Sequence, residues 1–176
     1  YHNDARAFVR KGEIGKLAVV RVCHMFPGPL PTRDHCPEPP ATDCAMHYLD
    51  IARWHAGSEY KEWSARGACV WGESPQSPWY FTANGLFKNN VLFEITNSYA
   101  YANGSRERRN CSYTDLIGTH GVIHIQVDAW GDVTYDAHGI NESVHLRKPY
   151  GDKYYEVFYE RFARAMDTGD YGGLAT

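Results

Sequence analysis

The sequence lacks the short motifs that identify many enzymes. No glycine-rich turn lies between a predicted strand and a predicted helix, so the chain has neither a dinucleotide-binding fingerprint nor a phosphate loop. It has no Gly-x-Ser-x-Gly motif for a nucleophilic serine. No apolar run approaches the roughly 20 residues of a membrane span, and no signal peptide is visible. We therefore expect no membrane partner and no nucleotide site built by this chain alone.

Charge and cysteine content argue against a nucleic-acid-binding protein and against a protein held together by disulfides or zinc. The formal net charge is −3, and the one dense basic run, at positions 106–109, has the pattern of a turn, so nucleic acid is not an expected partner. The five cysteines are odd in number and form no Cys-x-x-Cys pair, which favours reduced thiols in the cytoplasm. No metal site is expected, because no known zinc spacing is matched by the candidate ligands His24, His35, Cys36, Cys44 and His47.

The chain does contain a helical pattern with acid–base residues on one side. Because successive side chains of a helix rotate by about 100°, Asp43, His47, Asp50 and Trp54 are predicted to share one stripe. An imidazole with a carboxylate one turn away on each side can take up and release a proton near neutral pH. The same spacing also suits a structural helix in which Asp43 only caps the N-terminus and His47 is a satisfied core residue. Gly57 is expected to end the helix.

A loop with six prolines, from Pro27 to Pro40, precedes this helix. Prolines exclude regular structure and stiffen a loop, so we expect this one to form a wall of a pocket, with Arg33 as a substrate contact. Alternating apolar patterns predict the strands, and two amphipathic patterns at 3–12 and 152–168 predict further helices. The strand segments are 17–26, 60–71, 79–87, 91–101, 111–117, 122–127, 132–136 and 142–147.

These segments predict an α+β fold, with an open, mostly antiparallel sheet of about six strands and helices on one face. In the strand around Phe93 and Ile95, the alternate positions Leu92, Thr96 and Ala100 are also partly apolar. The chain's own helices can cover only one face of such a sheet. We therefore expect the other face to pack against a second copy of the chain.

Three motifs follow one another along the chain. The first is Lys11-Gly12-Glu13-Ile14-Gly15-Lys16-Leu17, and the second is Asp43-x-x-x-His47-x-x-Asp50 followed by Arg53-Trp54 and Gly57. The third is Asp115-Leu116-Ile117-Gly118-Thr119-His120-Gly121-Val122-Ile123. In order and spacing they resemble the C-terminal domain of the Gfo/Idh/MocA oxidoreductases, the relatives of glucose-fructose oxidoreductase and inositol 2-dehydrogenase. The resemblance runs over essentially the whole chain.

The resemblance implies that residues 1–176 are the substrate-binding and oligomerisation domain of a two-domain NAD(P)-dependent dehydrogenase acting on sugars or cyclic polyols. The N-terminal Rossmann domain, which would bind NAD or NADP, is absent from this chain. By position, His47 matches the catalytic acid–base and Asp43 the aspartate that orients the substrate. Asp50 matches a substrate or supporting contact, and His24 a substrate-contacting histidine. The chain alone is expected to be inactive, and the full-length enzyme to be a cytoplasmic homo-oligomer associating through the open sheet face.

One departure leaves the substrate open. Prolines at 37, 39 and 40 stand where the family usually has glycines before the motif aspartate, which changes the entrance to the pocket. Two other functions also stay open, namely a non-catalytic relative that serves as an interaction or scaffold module and a glycosidase-like member that uses NAD transiently. The presence of His47 and both aspartates favours the enzyme.

Overall fold

The computed structural model describes residues 1–28, 39–72, 76–128, 131–151 and 155–171. Its helices and strands, in chain order, are α1 (His2–Arg10), β1 (Leu17–Met25), α2 (Pro40–Asp43), α3 (Ala45–Ala56), β2 (Tyr60–Ala68), β3 (Tyr80–Phe87), β4 (Leu92–Ser98), β5 (Cys111–Gly118), β6 (Val122–Asp128), β7 (Asp132–His138), β8 (Ser143–Pro149) and α4 (Tyr155–Thr168).

All eight strands form one open sheet in the order β2-β3-β4-β1-β5-β6-β7-β8. β1 runs parallel to β4, and every other neighbouring pair is antiparallel. The predicted α+β class and mostly antiparallel sheet are confirmed, but the expected number of about six strands is wrong. The two short segments near the end of the chain, β7 and β8, extend the meander because each pairs over its full length with its predecessor.

One face of the sheet is covered by α1 and α3. Because side chains alternate along a strand, Val20 and Val22 of β1 share this face with Phe93 and Ile95 of β4, and all four are buried. Helix α1 adds Phe8 to the same core. The covered face therefore holds β1 at the centre of the sheet and fixes its position beneath α3.

The opposite face of the sheet is partly apolar and partly charged. One row that crosses five strands is apolar and consists of Leu86, Leu92, Val19, Ile117 and Val122. The apolar residues Phe93 and Ile95 lie under the helices, so only the alternate set faces outward. Another row across the outward face carries charged and titratable side chains, because the register places acids beside an arginine and two histidines. In order across seven strands that row is Asn84, Glu94, Arg21, Asp115, His124, Asp136 and His145.

The first and third sequence motifs meet in space. The backbone N–H of His120 donates to the carbonyl of Ile14 (3.0 Å), and that of Thr119 donates to the carbonyl of Lys16 (3.0 Å). Gly118 is required there, since a Cβ at this position would lie 2.0 Å from the Ile14 carbonyl oxygen. The two motifs therefore occur together because they form one packed junction between α1, β1 and the β5–β6 turn.

Helix α4 keeps the predicted amphipathic pattern, but its apolar side does not pack on the sheet. The side chains of Tyr155, Phe158, Tyr159, Phe162 and Met166 are all exposed, and Ala165 is the residue of α4 that is buried. Among the described residues, no helix has the length and apolarity needed to cross a membrane.

Candidate active-site cleft

A cleft of about 270 Å³ lies between the end of β1, the start of α3 and the strands β5 and β6. Its walls combine the imidazoles of His2, His24 and His47 with aromatic rings and a few hydroxyl and amide groups. Residues that line it include His24, Phe26, His47, Tyr48, Ser112 and Tyr150. Ring faces beside hydrogen-bonding groups suit a ligand that carries both C–H and O–H groups, such as a sugar or a polyol.

His24 forms the floor of the cleft. It lies on the helix-covered side of β1, is 4 % exposed, and its Nδ1 lies 3.0 Å from the hydroxyl of Ser112 on β5. Its ring packs against Tyr48 and Phe26, with centroids 4.7 and 5.1 Å away. Burial lowers the pKa of His24 from its usual 6.5 to about 4. His24 is therefore a neutral imidazole at neutral pH.

His47 lies on the wall of the same cleft, in the first turn of α3, and its side chain is exposed. Its backbone N–H donates to the carbonyl of Cys44 (3.0 Å). The next residue, Tyr48, covers the ring of His24, so α3 brings the two histidines to one cavity. An exposed imidazole opposite a buried neutral one can exchange a proton with a ligand hydroxyl and with solvent.

Asp43 and His47 do not share one unbroken helix, which corrects the sequence-based expectation. Asp43 ends α2, and Cys44 separates it from α3, which begins at Ala45. Neither α2 nor α3 has a side-chain cap, so the alternative in which Asp43 only caps the helix does not hold. The predicted C-terminal stop is present, because Gly57 adopts the left-handed conformation at φ 60°.

The Asp43 carboxylate accepts a short hydrogen bond from the hydroxyl of Tyr99, a residue that is 3 % exposed. The Cys44 sulfur lies 2.8 Å from the same hydroxyl oxygen. Asp43 is itself exposed and is not among the residues that line the cleft. It lies beside the cleft, because the ring of Tyr99 contacts Phe26, which lines it.

Asp50 lies one turn beyond His47 on α3, but its carboxylate binds Arg53 rather than lining the cleft (Oδ1 to Nη2, 3.0 Å). Arg53 also binds Glu59 at 2.9 Å. The geometry thus gives Asp50 a contact within its own helix. Arg33, His35 and Cys36 lie outside the described residues. Within the part of the chain that the structure describes, no three His, Cys, Asp or Glu side chains are grouped so as to hold a metal ion.

The sequence did not identify several residues of the cleft. Ser112 lies 88 positions from its partner His24 and becomes its neighbour only through the pairing of β1 with β5. Tyr48 adjoins His47 in the motif, but the bulky residue after a motif histidine carries no signal of its own. Tyr99 and Phe26 likewise come together only through the fold.

Comparison with known proteins agrees with this description. Residues 2–139 match the GFO/IDH/MocA C-terminal domain. No curated protein matches the sequence significantly. The α+β architecture and the histidine-lined cleft define a class of domain, and the match over most of the chain identifies it: the chain belongs to the GFO/IDH/MocA C-terminal domain family.

Three solved structures share the fold at low sequence identity. The aldose-aldose oxidoreductase from Caulobacter crescentus, complexed with glycerol, is 16 % identical, with a TM-score of 0.74 over 96 % of this chain and 50 % of that one. Levoglucosan dehydrogenase in complex with NADH is 16 % identical, with a TM-score of 0.71 over 97 % and 55 %. An oxidoreductase from Agrobacterium radiobacter in complex with NAD+, L-tartaric acid and magnesium is 18 % identical, with a TM-score of 0.70 over 96 % and 52 %. The chain thus spans about half the length of these proteins.

Proposed function

We propose that this chain is the substrate-binding part of an NAD(P)-dependent oxidoreductase that transfers hydride between a nicotinamide cofactor and a sugar or cyclic polyol. The observation that carries the proposal is the convergence of His24 and His47 on one aromatic-lined cleft. The family, and the sugar dehydrogenase and oxidoreductases among the solved structures of the same fold, support it.

The proposed roles of the residues rest on their match to the family motif, and the exposure and contacts of the described residues support them. His47, exposed on the cleft wall, removes the proton of the substrate hydroxyl as the alcohol is oxidised. Asp43 orients the substrate from beside the cleft, and His24 with Ser112 binds a hydroxyl at its floor. Asp50 acts through Arg53 in a supporting role. Arg33 belongs to the proposal as a further substrate contact from the proline loop.

The cofactor belongs to a different part of the enzyme. When bound, nicotinamide supplies the hydride acceptor, a role that no side chain can fill. No glycine-rich strand-to-helix turn exists in the sequence, so the residues of this chain do not fit the cofactor's pyrophosphate. We assign NAD or NADP to an N-terminal Rossmann domain outside this chain, and we expect the chain alone to be inactive.

The full-length enzyme with His47→Ala tests the assignment. A positioned general base contributes about 10²–10⁴ in rate, so turnover of alcohol substrates should fall by that factor. The assay follows NADH or NADPH formation with aldoses, inositol and levoglucosan as probes. His138→Ala is the matched control, since His138 is exposed on the other face of the sheet and should turn over as the wild type does.

The same assay separates the alternatives. A scaffold protein would show no turnover with any probe. A glycosidase-like enzyme would cleave a glycoside without net reduction of the cofactor. Unchanged oxidation by the His47→Ala variant would reject His47 as the base.

Self-association through the open sheet face is also part of the proposal. An apolar row crosses five strands on this face, through Leu86, Leu92, Val19, Ile117 and Val122. The chain's own helices cover the other face of the sheet, so a second copy of the chain would bury this row.

Arg21 is the one arginine or lysine in the neighbouring charged row of this face, where it contacts Glu94 at 2.7 Å and Asp115 at 3.8 Å. An acid in its place puts three adjacent carboxylates on the face of each copy, and like charges repel. Arg21→Glu should therefore shift the protein toward monomer in light scattering. Arg10→Glu makes the same charge change on helix α1, away from the open face, and should leave the mass unchanged. Equal masses for both variants and the wild type would contradict this interface.

A cytoplasmic location completes the proposal. The odd number of cysteines and the lack of a Cys-x-x-Cys pair in the sequence support it.

A further inference from the structure

Tyr99 is locked in place next to the cleft. Its ring packs against Phe26, with centroids 4.6 Å apart, and meets the ring of Trp79 edge-on at 6.5 Å. Gly28 lies against it so closely that a Cβ at position 28 would come within 2.8 Å of the Tyr99 Cβ. The backbone of Tyr99 also donates to the carbonyl of Trp79 (3.0 Å) and accepts from the N–H of Gly28 (2.8 Å). The ring therefore has no room to rotate away.

The hydroxyl of this fixed ring contacts two consecutive residues, Asp43 at the end of α2 and Cys44 just before α3. Its hydrogen is donated to the Asp43 carboxylate, so its oxygen is free to accept a hydrogen bond from the Cys44 thiol at 2.8 Å. Burial, and then the hydrogen bond to Asp43, raise the pKa of Tyr99. Burial also raises the pKa of the Cys44 thiol. Both groups keep their protons at neutral pH, so the bonds run in one direction, from Cys44 to Tyr99 to Asp43.

An exposed aspartate at a helix end would otherwise sample several rotamers. Asp43 is exposed and follows the proline loop, but its carboxylate is tied to a side chain that is 3 % exposed. A hydrogen bond to a charged acceptor is stronger than a neutral one, so this contact selects one orientation of the carboxylate.

We propose that Tyr99 is a positioning residue, which holds the Asp43 carboxylate in the orientation that the substrate requires, with Cys44 fixing the Tyr99 hydroxyl. This inference rests on the proposed function, in which Asp43 orients the substrate. Tyr99 itself does not line the cleft, so it acts through Asp43.

Tyr99→Phe in the full-length enzyme removes the hydroxyl and keeps the ring. Because a hydrogen bond to a charged group is lost, KM should rise about tenfold or more, while kcat should stay within about threefold. Tyr60→Phe is the matched control, since it removes a half-buried tyrosine hydroxyl that donates to the Leu49 carbonyl (2.8 Å). It should leave KM unchanged, and the two variants should have similar melting temperatures.

A double-mutant cycle with Asp43→Asn shows whether Tyr99 acts through Asp43. If it does, Tyr99→Phe should add little to the KM of Asp43→Asn, because the group that it positions is already lost. Additive effects in the cycle, or a KM that Tyr99→Phe leaves at the wild-type value, would overturn the proposal.

A second measurement needs no activity and no Tyr99 variant that folds. NMR of ¹³Cζ-labelled tyrosine at neutral pH reports the hydrogen bond of the Tyr99 hydroxyl through the chemical shift of its ring carbon. Asp43→Asn replaces a charged acceptor with a neutral one and should move the Tyr99 signal, while the signal of Tyr60, which donates to a backbone carbonyl, should stay in place. An unchanged Tyr99 signal would overturn the proposal. If the wild-type enzyme oxidises no sugar or polyol, the proposed function fails, while this chemical shift still decides whether Tyr99 and Asp43 are coupled.

Discussion

The buried imidazole of His24 makes the free energy of unfolding depend on pH, and the lowered pKa of His24 sets the size of that dependence. Burial lowers the pKa of His24 from 6.5 to about 4, so the unfolded chain binds a proton there at a higher pH than the folded chain does. The stability from a neutral His24 is therefore fully present above pH 6.5 and is lost as the pH falls toward 4. At about 1.4 kcal/mol for each pH unit between the two pKa values, the total loss is about 3 kcal/mol.

Two measurements check this. NMR titration of the imidazole C–H signals should show His24 changing near pH 4. Chemical denaturation from pH 7.5 to 4 should then give a free energy of unfolding that falls more steeply for the wild type than for His24→Gln. Every other titrating group is common to both proteins, so the difference between the two curves isolates His24. His138→Gln makes the same exchange at an exposed site and controls for its chemistry.

A constant difference between the wild-type and His24→Gln curves would refute the reasoning. It would mean that His24 takes up its proton at the same pH in the folded and unfolded chains. The contacts with Tyr48, Phe26 and Ser112 would then not exclude water from the imidazole.

Three further outcomes are expected. Gly118→Ala should lower the free energy of unfolding by about 1–3 kcal/mol in denaturant titrations, because its Cβ would lie 2.0 Å from the Ile14 carbonyl oxygen. Gly104→Ala, whose Cβ would have nothing within 4 Å, should change the free energy little. Equal losses for the two variants would contradict the packing argument. This chain on its own should not bind NAD or NADP with a micromolar dissociation constant in calorimetry, because it has no turn that cradles phosphate. Measurable binding would contradict the assignment of the cofactor to another domain. An alkylating reagent should modify exposed Cys69 before buried Cys23, because burial and the neighbouring Cys111 raise the pKa of the Cys23 thiol to about 12. Mass spectrometry of the early products checks this order, and early modification of Cys23 would contradict it.

Local patterns were sufficient to predict the secondary structure. Alternating residues in β4 and the 3.6-residue pattern of α3 are recorded in short stretches of sequence, so both elements were found. The break at Cys44 was not predicted, because no proline or glycine marks it and the helical pattern continues through it. Cys44 lies between Asp43, which accepts a hydrogen bond from Tyr99, and Ala45, which is buried. Both environments come from tertiary structure, which a local pattern does not record.

The open face of the sheet shows why the arrangement of its polar and apolar residues could not be predicted from the sequence of one strand. In β4 alone, Leu92 and Thr96 look partly apolar. Their neighbours across the sheet are set by register, which places Leu92 beside Leu86 and Val19 in an apolar row. The same register places Glu94 beside Arg21 in a charged row. Register depends on pairing between strands far apart in the sequence, so the charged row is a property of the fold.

His24 and His47 differ in what their surroundings allow. A base works best when its pKa lies near the working pH, and a buried imidazole whose pKa is about 4 is a weak base at neutral pH. His24 is therefore suited to binding, since a neutral ring held by Ser112 offers a hydrogen bond of fixed direction. His47 is exposed at the cleft, where an imidazole can exchange a proton with solvent. The difference in burial thus supports the proposal that binding and proton transfer belong to different imidazoles, and burial at these two positions is a property of the fold.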